Sequence, residues 1–297
     1  MRKFWSKHVA DARVAAGMAV LAALFSAAAT AQFTGPISPY YLSNFDTQTI
    51  YVVQGNTVMY TFPWASPTAY SSGMIAVSSL VESRGFGENA SQGAEYTLAG
   101  APTGNVNPYL LPAGITSETA YDGASDGQHN YYVQYEGIDT SGAYVENVYQ
   151  TGLNWQNPTL LFSVQSSSGV QSEYLGIAYD SSNNSLWVSG WGATAVNDYS
   201  LSGSLLGSLT GPGYLGALAY DSADNTLWGS YFENNTLYQY STAGVLLQSG
   251  TPAGLVEGDY LGGDMSKGSG SGVPEPATTV LVVAGLAALV ARRRRLV

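Results

Sequence analysis

The chain has 297 residues, with 21 acidic and 10 basic side chains, a formal net charge of −11 at pH 7, and no cysteine. Charged residues make up 10% of the sequence, against roughly 25% in a typical soluble domain, whereas Gly (35) and Tyr (22) are abundant. This composition excludes a helical protein rich in salt bridges. The absence of cysteine excludes a disulfide scaffold, a thiolate metal site and a cysteine nucleophile.

An N-terminal secretory signal peptide is predicted over residues 1–31. Its basic start is followed by the apolar run Val14–Ala29, which is shorter than the ~20 residues of a membrane-spanning helix. The small residues Ala29 and Ala31 form an A-x-A cleavage site, so the mature protein is predicted to begin at Gln32. The alternative is a retained membrane anchor. The sequence therefore predicts export through the Sec translocon and cleavage by signal peptidase.

The basic residues are concentrated at the two ends of the chain. They are Arg2, Lys3, Lys7 and Arg13 at the N-terminus, and Arg292, Arg293, Arg294 and Arg295 at the C-terminus. Only Arg84 and Lys267 lie between, against 19 acidic residues, so the body carries a net charge of −17. Nucleic-acid binding needs clustered Lys and Arg. The sequence therefore predicts no nucleic-acid partner.

The body contains a repeat with an offset of 41 residues. Tyr179-Asp180-Ser181 matches Tyr220-Asp221-Ser222, and Leu186-Trp187 matches Leu227-Trp228. The first copy contains four strand-like segments, LGIAYD, SLWVSGW, AVNDYSLS and SLLGSL, separated by Ser, Asn and Gly. Four strands in about 40 residues are typical of a β-propeller blade. Because the two tryptophans share one repeat position, they are predicted to pack between blades.

Weaker copies extend the repeat over the rest of the body. We predict an all-β, propeller-like domain over residues 32–267, with five four-stranded blades or six; a two-sheet β-sandwich array is the alternative. The region Ile75–Leu111 fits the repeat worst, with IAVSSLVE and AEYTLAG as its strands. The segment Tyr260–Met265 repeats the opening of a blade that nothing completes. It is predicted to close the ring by pairing with the N-terminal blade.

Catalytic side chains are scarce in the body. General acid–base and nucleophilic catalysis usually involve His, Lys, Cys or paired carboxylates. The body has one histidine, His129, in a polar loop without a nucleophile-elbow motif. We therefore predict no catalytic residues, with His129 a solvent-facing turn residue.

Calcium is the metal that this composition favours, because it takes oxygen ligands. Asp122, Asp126 and Asn130 form the most ligand-like loop, although EF-hand spacing is absent. The alternative is that aspartates cap turns, as predicted for the repeat-equivalent Asp180 and Asp221. Calcium is thus an optional cofactor of the predicted body.

Three further tryptophans have no partner in the repeat. Trp64, Trp155 and Trp191 are candidates for an exposed surface on which sugar rings stack. They define the predicted glycan-binding residues.

The C-terminus carries three elements in a fixed order. A Gly/Ser linker, residues 268–272, precedes Pro274-Glu275-Pro276; an apolar segment, Ala277–Ala291, and the four arginines follow. Over residues 273–297 this order resembles the PEP-CTERM sorting signal of Gram-negative bacteria. The resemblance implies a transmembrane sorting helix, with the arginines cytoplasmic. It also implies recognition and removal of the tail by exosortase, a membrane transpeptidase-like enzyme.

These observations together predict an exported protein of the cell surface or exopolysaccharide matrix. It would pass through a transient stage anchored in the inner membrane, and its body would bind glycan or protein without catalysis. One alternative is a calcium-dependent propeller lyase or lactonase acting on polysaccharide or sugar acids. Another is a spacer-like matrix protein without a specific ligand.

Overall fold

A computed structural model of the chain describes residues 32–64, 73–84, 93–107, 120–138, 144–165, 174–190, 193–231 and 234–267. These residues form twenty β-strands and no helix. None of the described segments is therefore a helix suited to crossing a membrane. The predicted signal peptide with Ala29 and Ala31, the sorting tail and Trp191 lie outside the described residues.

The strands are short and follow one another at regular intervals. In the first half of the chain they are β1 (Tyr40–Asn44), β2 (Thr49–Gln54), β3 (Thr57–Pro63), β4 (Met74–Val77), β5 (Leu80–Arg84), β6 (Gly93–Thr97), β7 (Pro102–Asn107), β8 (Gly123–Ser125), β9 (Asn130–Ile138) and β10 (Tyr144–Thr151). In the second half they are β11 (Thr159–Gln165), β12 (Tyr174–Asp180), β13 (Ser185–Gly190), β14 (Ala195–Ser200), β15 (Leu205–Thr210), β16 (Leu215–Asp221), β17 (Thr226–Tyr231), β18 (Leu237–Ser241), β19 (Leu246–Gly250) and β20 (Tyr260–Met265).

The strands form five antiparallel four-stranded sheets, which are the blades of a propeller. From the axis outward, blade I is β20-β1-β2-β3, blade II β4–β7, blade III β8–β11, blade IV β12–β15 and blade V β16–β19. The five inner strands contact one another in a closed ring around the axis. The predicted propeller is confirmed with five blades, and the β-sandwich alternative is wrong.

Ring closure follows the prediction made for the last strand. β20 pairs antiparallel with β1, and Met265 lies opposite Tyr40. The C-terminal end of the body thus supplies the inner strand of the N-terminal blade. Because a propeller sheet is stable only when it packs on neighbours at both faces, this exchange removes the open end of the ring.

Turn chemistry explains why the two repeat copies form matching hairpins. Asn184 and Asn225, at equivalent positions, have φ of 57° and 58°, in the left-handed region that Asn tolerates. Each amide oxygen accepts a hydrogen bond from a strand tyrosine, Tyr179 at 2.8 Å and Tyr220 at 2.9 Å. The predicted Asn-rich turns are therefore confirmed.

Blade II differs from the sequence prediction in detail. The stretch predicted as one strand, IAVSSLVE, is divided between β4 and β5 by a tight turn in which the Ser78 amide donates to the Leu80 carbonyl at 2.9 Å. Apolar residues stand on both sides of Ser78 and Ser79. Because serine also occurs inside strands, the sequence did not show that these two residues form a turn. β1 was likewise missed, and one of its two pairing partners, β20, lies at the other end of the chain.

The core consists of five hydrophobic clusters, one in each seam between neighbouring blades. Trp187 lies in the seam between blades IV and V, and Trp228 in the seam between blades V and I. Both side chains are buried. The predicted packing of these tryptophans between blades is confirmed.

Candidate functional site

Asp122 occupies the axis and accepts hydrogen bonds from four backbone amides. Its Oδ1 accepts from Gly123 at 2.8 Å and Gly263 at 2.7 Å, and its Oδ2 from Ile177 at 3.0 Å and Leu218 at 2.8 Å. These amides belong to the inner strands of blades III, I, IV and V. One buried carboxyl group therefore joins four of the five blades.

Asp264, on β20, joins the remaining blade to the ring. Its Oδ2 accepts from the amides of Val77 in blade II, at 2.8 Å, and Ser125 in blade III, at 3.1 Å. Its Oδ1 accepts from the Met265 amide at 2.8 Å. Together the two aspartates accept from the inner strands of all five blades, and each Oδ2 bridges two neighbouring blades.

Burial shifts the pKa of both axial carboxyl groups upward. Desolvation raises the pKa of Asp122, and its four amide donors oppose that rise. Desolvation raises the pKa of Asp264 to about 7, opposed chiefly by the charge of Lys267. Asp264 therefore titrates near neutral pH, whereas an exposed aspartate would be ionised there.

Lys267 follows the closing strand and reaches back over blade IV. Its Nζ lies 4.4 Å from the centroid of the Tyr179 ring, a cation–π contact. Burial lowers the pKa of Lys267, and the charges of Asp264 and Asp126 oppose this. The only lysine of the body thus holds the C-terminal strand end against the ring.

The predicted calcium ligands do not converge. Asp126 caps the turn between β8 and β9, where it accepts from the amides of Gln128 and His129, each at 2.6 Å, and from the Tyr131 hydroxyl at 2.7 Å. The Asn130 amide nitrogen donates instead to the Leu153 carbonyl at 2.6 Å. On the axis, each carboxylate oxygen of Asp122 already accepts hydrogen bonds from two backbone amides.

The capping alternative accounts for the aspartates. Across the described ranges, no group of three or more His, Cys, Asp and Glu side chains could hold a metal ion. Asp180 and Asp221 cap the equivalent turns of blades IV and V through the amides of Ser182 at 2.8 Å and Ala223 at 3.0 Å. The hydrogen bonds of Asp122 and Asp126 therefore favour the capping alternative over the calcium prediction for this loop. His129, which was predicted to be a solvent-facing turn residue, lies beside the Asp126 cap, with its Nδ1 3.1 Å from Asp126 Oδ2.

Two of the tryptophans predicted at an exposed face are buried. Trp155 is fully buried in the seam between blades II and III, and Trp64 is 7% exposed in the seam between blades I and II. A Cβ at position 123 would lie 2.5 Å from the Trp155 ring, so Gly123 makes room for it. Because neither tryptophan has an equivalent in the repeat, the sequence did not indicate that they are buried. These two positions therefore cannot form a sugar-stacking surface.

Sequence reasoning missed a group of buried polar side chains on blades II and III. Glu82 is 3% exposed and its Oε2 accepts from Asn107 Nδ2 at 2.6 Å; burial raises the pKa of Glu82 to about 8. The guanidinium carbon of Arg84, fully buried, lies 5.5 Å from the centroid of the Tyr132 ring. Gln134 is also fully buried, and its side-chain amide has no hydrogen-bond partner within the described ranges. The isolated position of Arg84 in an acidic body was the only signal in the sequence.

No family model and no curated protein matches the chain. A chain in the nidogen/laminin complex is similar, at 9% identity over 76% of this chain and 97% of that chain, with a TM-score of 0.48. A protein of unknown function from Bacteroides caccae is similar at 10% identity, over 72% and 73% of the two chains, with a TM-score of 0.44. A luciferin-regenerating enzyme is similar at 15% identity, over 76% and 79%, with a TM-score of 0.41. The assignment as a propeller rests on this chain's own strand pairing.

Proposed function

We propose that this protein is an exported, non-catalytic component of the cell surface or extracellular polysaccharide matrix, sorted by exosortase. The proposal combines a C-terminal tail that resembles the PEP-CTERM signal with a closed propeller body. The cell would be a Gram-negative bacterium, and the tail would anchor the protein in the inner membrane before cleavage.

The observation that carries the proposal is where the ring closes. Every described strand lies between Tyr40 and Met265. The segment before β1 is held to blade V, where Asp221 Oδ2 accepts from the amides of Ile37 and Ser38, each at 3.0 Å. The predicted address segments, residues 1–31 and 273–297, precede and follow this range in the sequence. Removal of either would leave every described strand in place, and this supports the proposal of a sorted and processed protein.

The charge of the body limits the matrix partner. A body with a net charge of −17 repels an anionic polysaccharide unless cations screen or bridge the two. We therefore propose that its exopolysaccharide partner is a neutral glycan. The lyase or lactonase alternative relied on Asp122 and Asp126 as calcium ligands, and the oxygens of both accept protein hydrogen bonds instead. This favours the non-catalytic role.

The sorting step is tested by replacing Pro274, Glu275 and Pro276 with alanine in a host that contains exosortase. We expect the variant to keep its tail and to fractionate with the inner membrane, while the wild-type body is released from that membrane. Ser271→Ala in the linker is the matched control and should be processed normally. Normal processing of the triple variant, or of wild type in a host without exosortase, would refute the proposal.

The binding role is tested separately with the purified body, residues 32–267. A pull-down with neutral and with anionic polysaccharides should retain the body on the neutral polymer. Equal absence of binding to both would support the spacer alternative and leave the sorting result unaffected.

A further inference from the structure

The outermost strand of every blade lacks charge. β3, β7, β11, β15 and β19 contain no Asp, Glu, Lys or Arg, although the body has 19 acidic residues. Natural proteins commonly protect sheet edges with charged side chains, especially lysine, because an open edge pairs with other strands. The described outer strands of this ring lack that protection by charge.

Blades IV and V also expose a pair of leucines on this edge. Leu205 and Leu206 are 61% and 53% exposed, and Leu246 and Leu247 are 49% and 48% exposed. The pairs occupy equivalent positions in the 41-residue repeat. Exposed apolar side chains that recur at one place mark an interaction surface more strongly than scattered ones do.

A β-bulge shapes each of these two edges. Asp198 lies opposite Gly207 and Tyr199 opposite Leu205, so Leu206 is the extra residue of β15; Leu247 is the extra residue of β19 in the same way. Beyond the bulge, β15 continues to Thr210 with no further strand beside it among the described residues. The regular edge is thus short, and the leucine pair adds apolar contact beside it.

Blades I and II have features that disfavour edge pairing. In blade I, the Val58 amide donates to the Ala253 carbonyl at 2.9 Å, and Thr57 forms a bridge with Ala253, so part of the β3 edge is covered. In blade II, β7 begins with Pro102, which has no amide hydrogen to donate. Blade III has the same bulge, but its extra residue Leu161 packs against the seam with blade IV and only Leu160 is exposed. Blades IV and V therefore carry the best-matched pair of exposed leucine edges.

We propose that the body self-associates through these two edges, each pairing antiparallel with the same edge of a second copy. An edge strand is complementary to itself about a twofold axis, because antiparallel pairing exchanges the same donors and acceptors in both directions. Two bodies of net charge −17 repel each other wherever carboxylates meet, and an uncharged edge lets them approach. With two edges per ring, the product is a linear chain of rings. This property goes beyond the proposed sorting and glycan binding.

The test uses residues 32–267, which contain every strand of the closed ring, in sedimentation velocity over a range of protein concentrations. We expect species larger than a dimer at high protein concentration, and more of them at high salt, because salt screens the repulsion. A monomer at every concentration and salt would overturn the proposal.

Charge variants identify the edges. Leu206→Glu should leave only dimers joined through blade V, and Leu247→Glu only dimers joined through blade IV. Combined, they should leave monomers and weaken the apparent dissociation constant by at least about tenfold, because like charges then face each other. Met59→Glu is the matched control, since Met59 is an exposed bulge residue on the covered edge of blade I, and it should assemble as wild type.

Three results would overturn the assignment: unchanged assembly of the double variant, monomers from a single variant, or loss of assembly in Met59→Glu. Loss of polysaccharide binding in the double variant of a body that is always monomeric would assign the edges to glycan instead. Circular dichroism and thermal unfolding of each variant establish that it is folded.

Discussion

The seam between blades IV and V and the seam between blades II and III hold the ring together with different side chains. The first is an apolar cluster in which the Trp187 indole nitrogen donates to Asp180 Oδ2 at 3.2 Å. The second packs Trp155 and Tyr132, and its Trp155 indole nitrogen has no acceptor among the described residues. Buried polar groups lower stability unless they are paired. We therefore expect the seam between blades IV and V, the repeated seam, to lose less stability to unpaired buried groups than the seam between blades II and III, the irregular seam.

The same division appears on the axis. Asp122 Oδ2 bridges blades IV and V through the repeat-equivalent amides of Ile177 and Leu218. Asp264 Oδ2 bridges blades II and III through Val77 and Ser125. Each of these oxygens thus joins one pair of blades. Asp122 accepts from four amides in all and Asp264 from three, so removal of the two carboxyl groups should have unequal effects.

The largest effect is expected from Asp122→Ala. Four buried amides would lose their acceptor, and each unpaired buried group costs about 1–3 kcal/mol, so the free energy of unfolding should fall by more than about 4 kcal/mol. Asp264→Ala removes the acceptor of three amides and should cost less. Urea unfolding measures both. A cost for Asp122→Ala no greater than that for Asp264→Ala would contradict the four-blade role.

Trp187→Ala should come next, because it opens a large cavity in the repeated seam. Such truncations cost about 3–5 kcal/mol. The expected result is a lower urea midpoint with an unchanged m value. An exposed apolar control, Leu205→Ala, should cost well under half as much; equal costs would mean that Trp187 is not packed between blades.

The irregular seam should respond to pH through Glu82. The folded protein holds this proton more tightly than the unfolded chain does, so stability falls as pH rises from the ordinary pKa of 4.5 towards about 8. Near pH 5, Glu82→Gln should leave the free energy of unfolding almost unchanged, because Glu82 is then protonated in the folded protein. Above pH 8 the substitution should stabilise the protein by about a few kcal/mol, the order of magnitude that corresponds to the pKa shift.

Thermal unfolding of wild type and variant at several pH values measures this difference. Glu95→Gln is the control: Glu95 lies opposite Glu82, but its hydrogen bond from Thr103 lowers its pKa. Because Glu95 also contributes to the raised pKa of Glu82, its removal should weaken the pH dependence of stability without abolishing it, whereas Glu82→Gln should abolish the part that Glu82 contributes. A stability difference between wild type and Glu82→Gln that does not change with pH would disprove the raised pKa.

The smallest effect separates the two tryptophans directly. Trp187→Phe loses a hydrogen bond to a buried carboxylate, whereas Trp155→Phe removes an indole N–H without an acceptor. Trp187→Phe should therefore cost about 1 kcal/mol more. Both substitutions remove similar volume, so equal costs in urea unfolding would show that the two seams treat the indole alike.

Much of the fold was predictable because residues at the same position of a repeat pack in the same way. The shared position of Trp187 and Trp228 predicted burial, and the leftover YLG segment at Tyr260 predicted ring closure. Trp155 has no partner in the repeat, so nothing in its neighbourhood in the chain indicated burial. The polar group around Glu82 was hidden for the same reason.

The sequence by itself determined the strand pattern, the Asn turns at Asn184 and Asn225, and the closing strand, because these depend on neighbours within one hairpin or on a period. It also carries the predicted address segments, which are linear motifs. Only the tertiary structure decided that Asp122 is the axial acceptor of four backbone amides. Its amide partners at Leu218 and Gly263 lie 96 and 141 residues away in the chain, and a contact of that kind forms only when five blades meet.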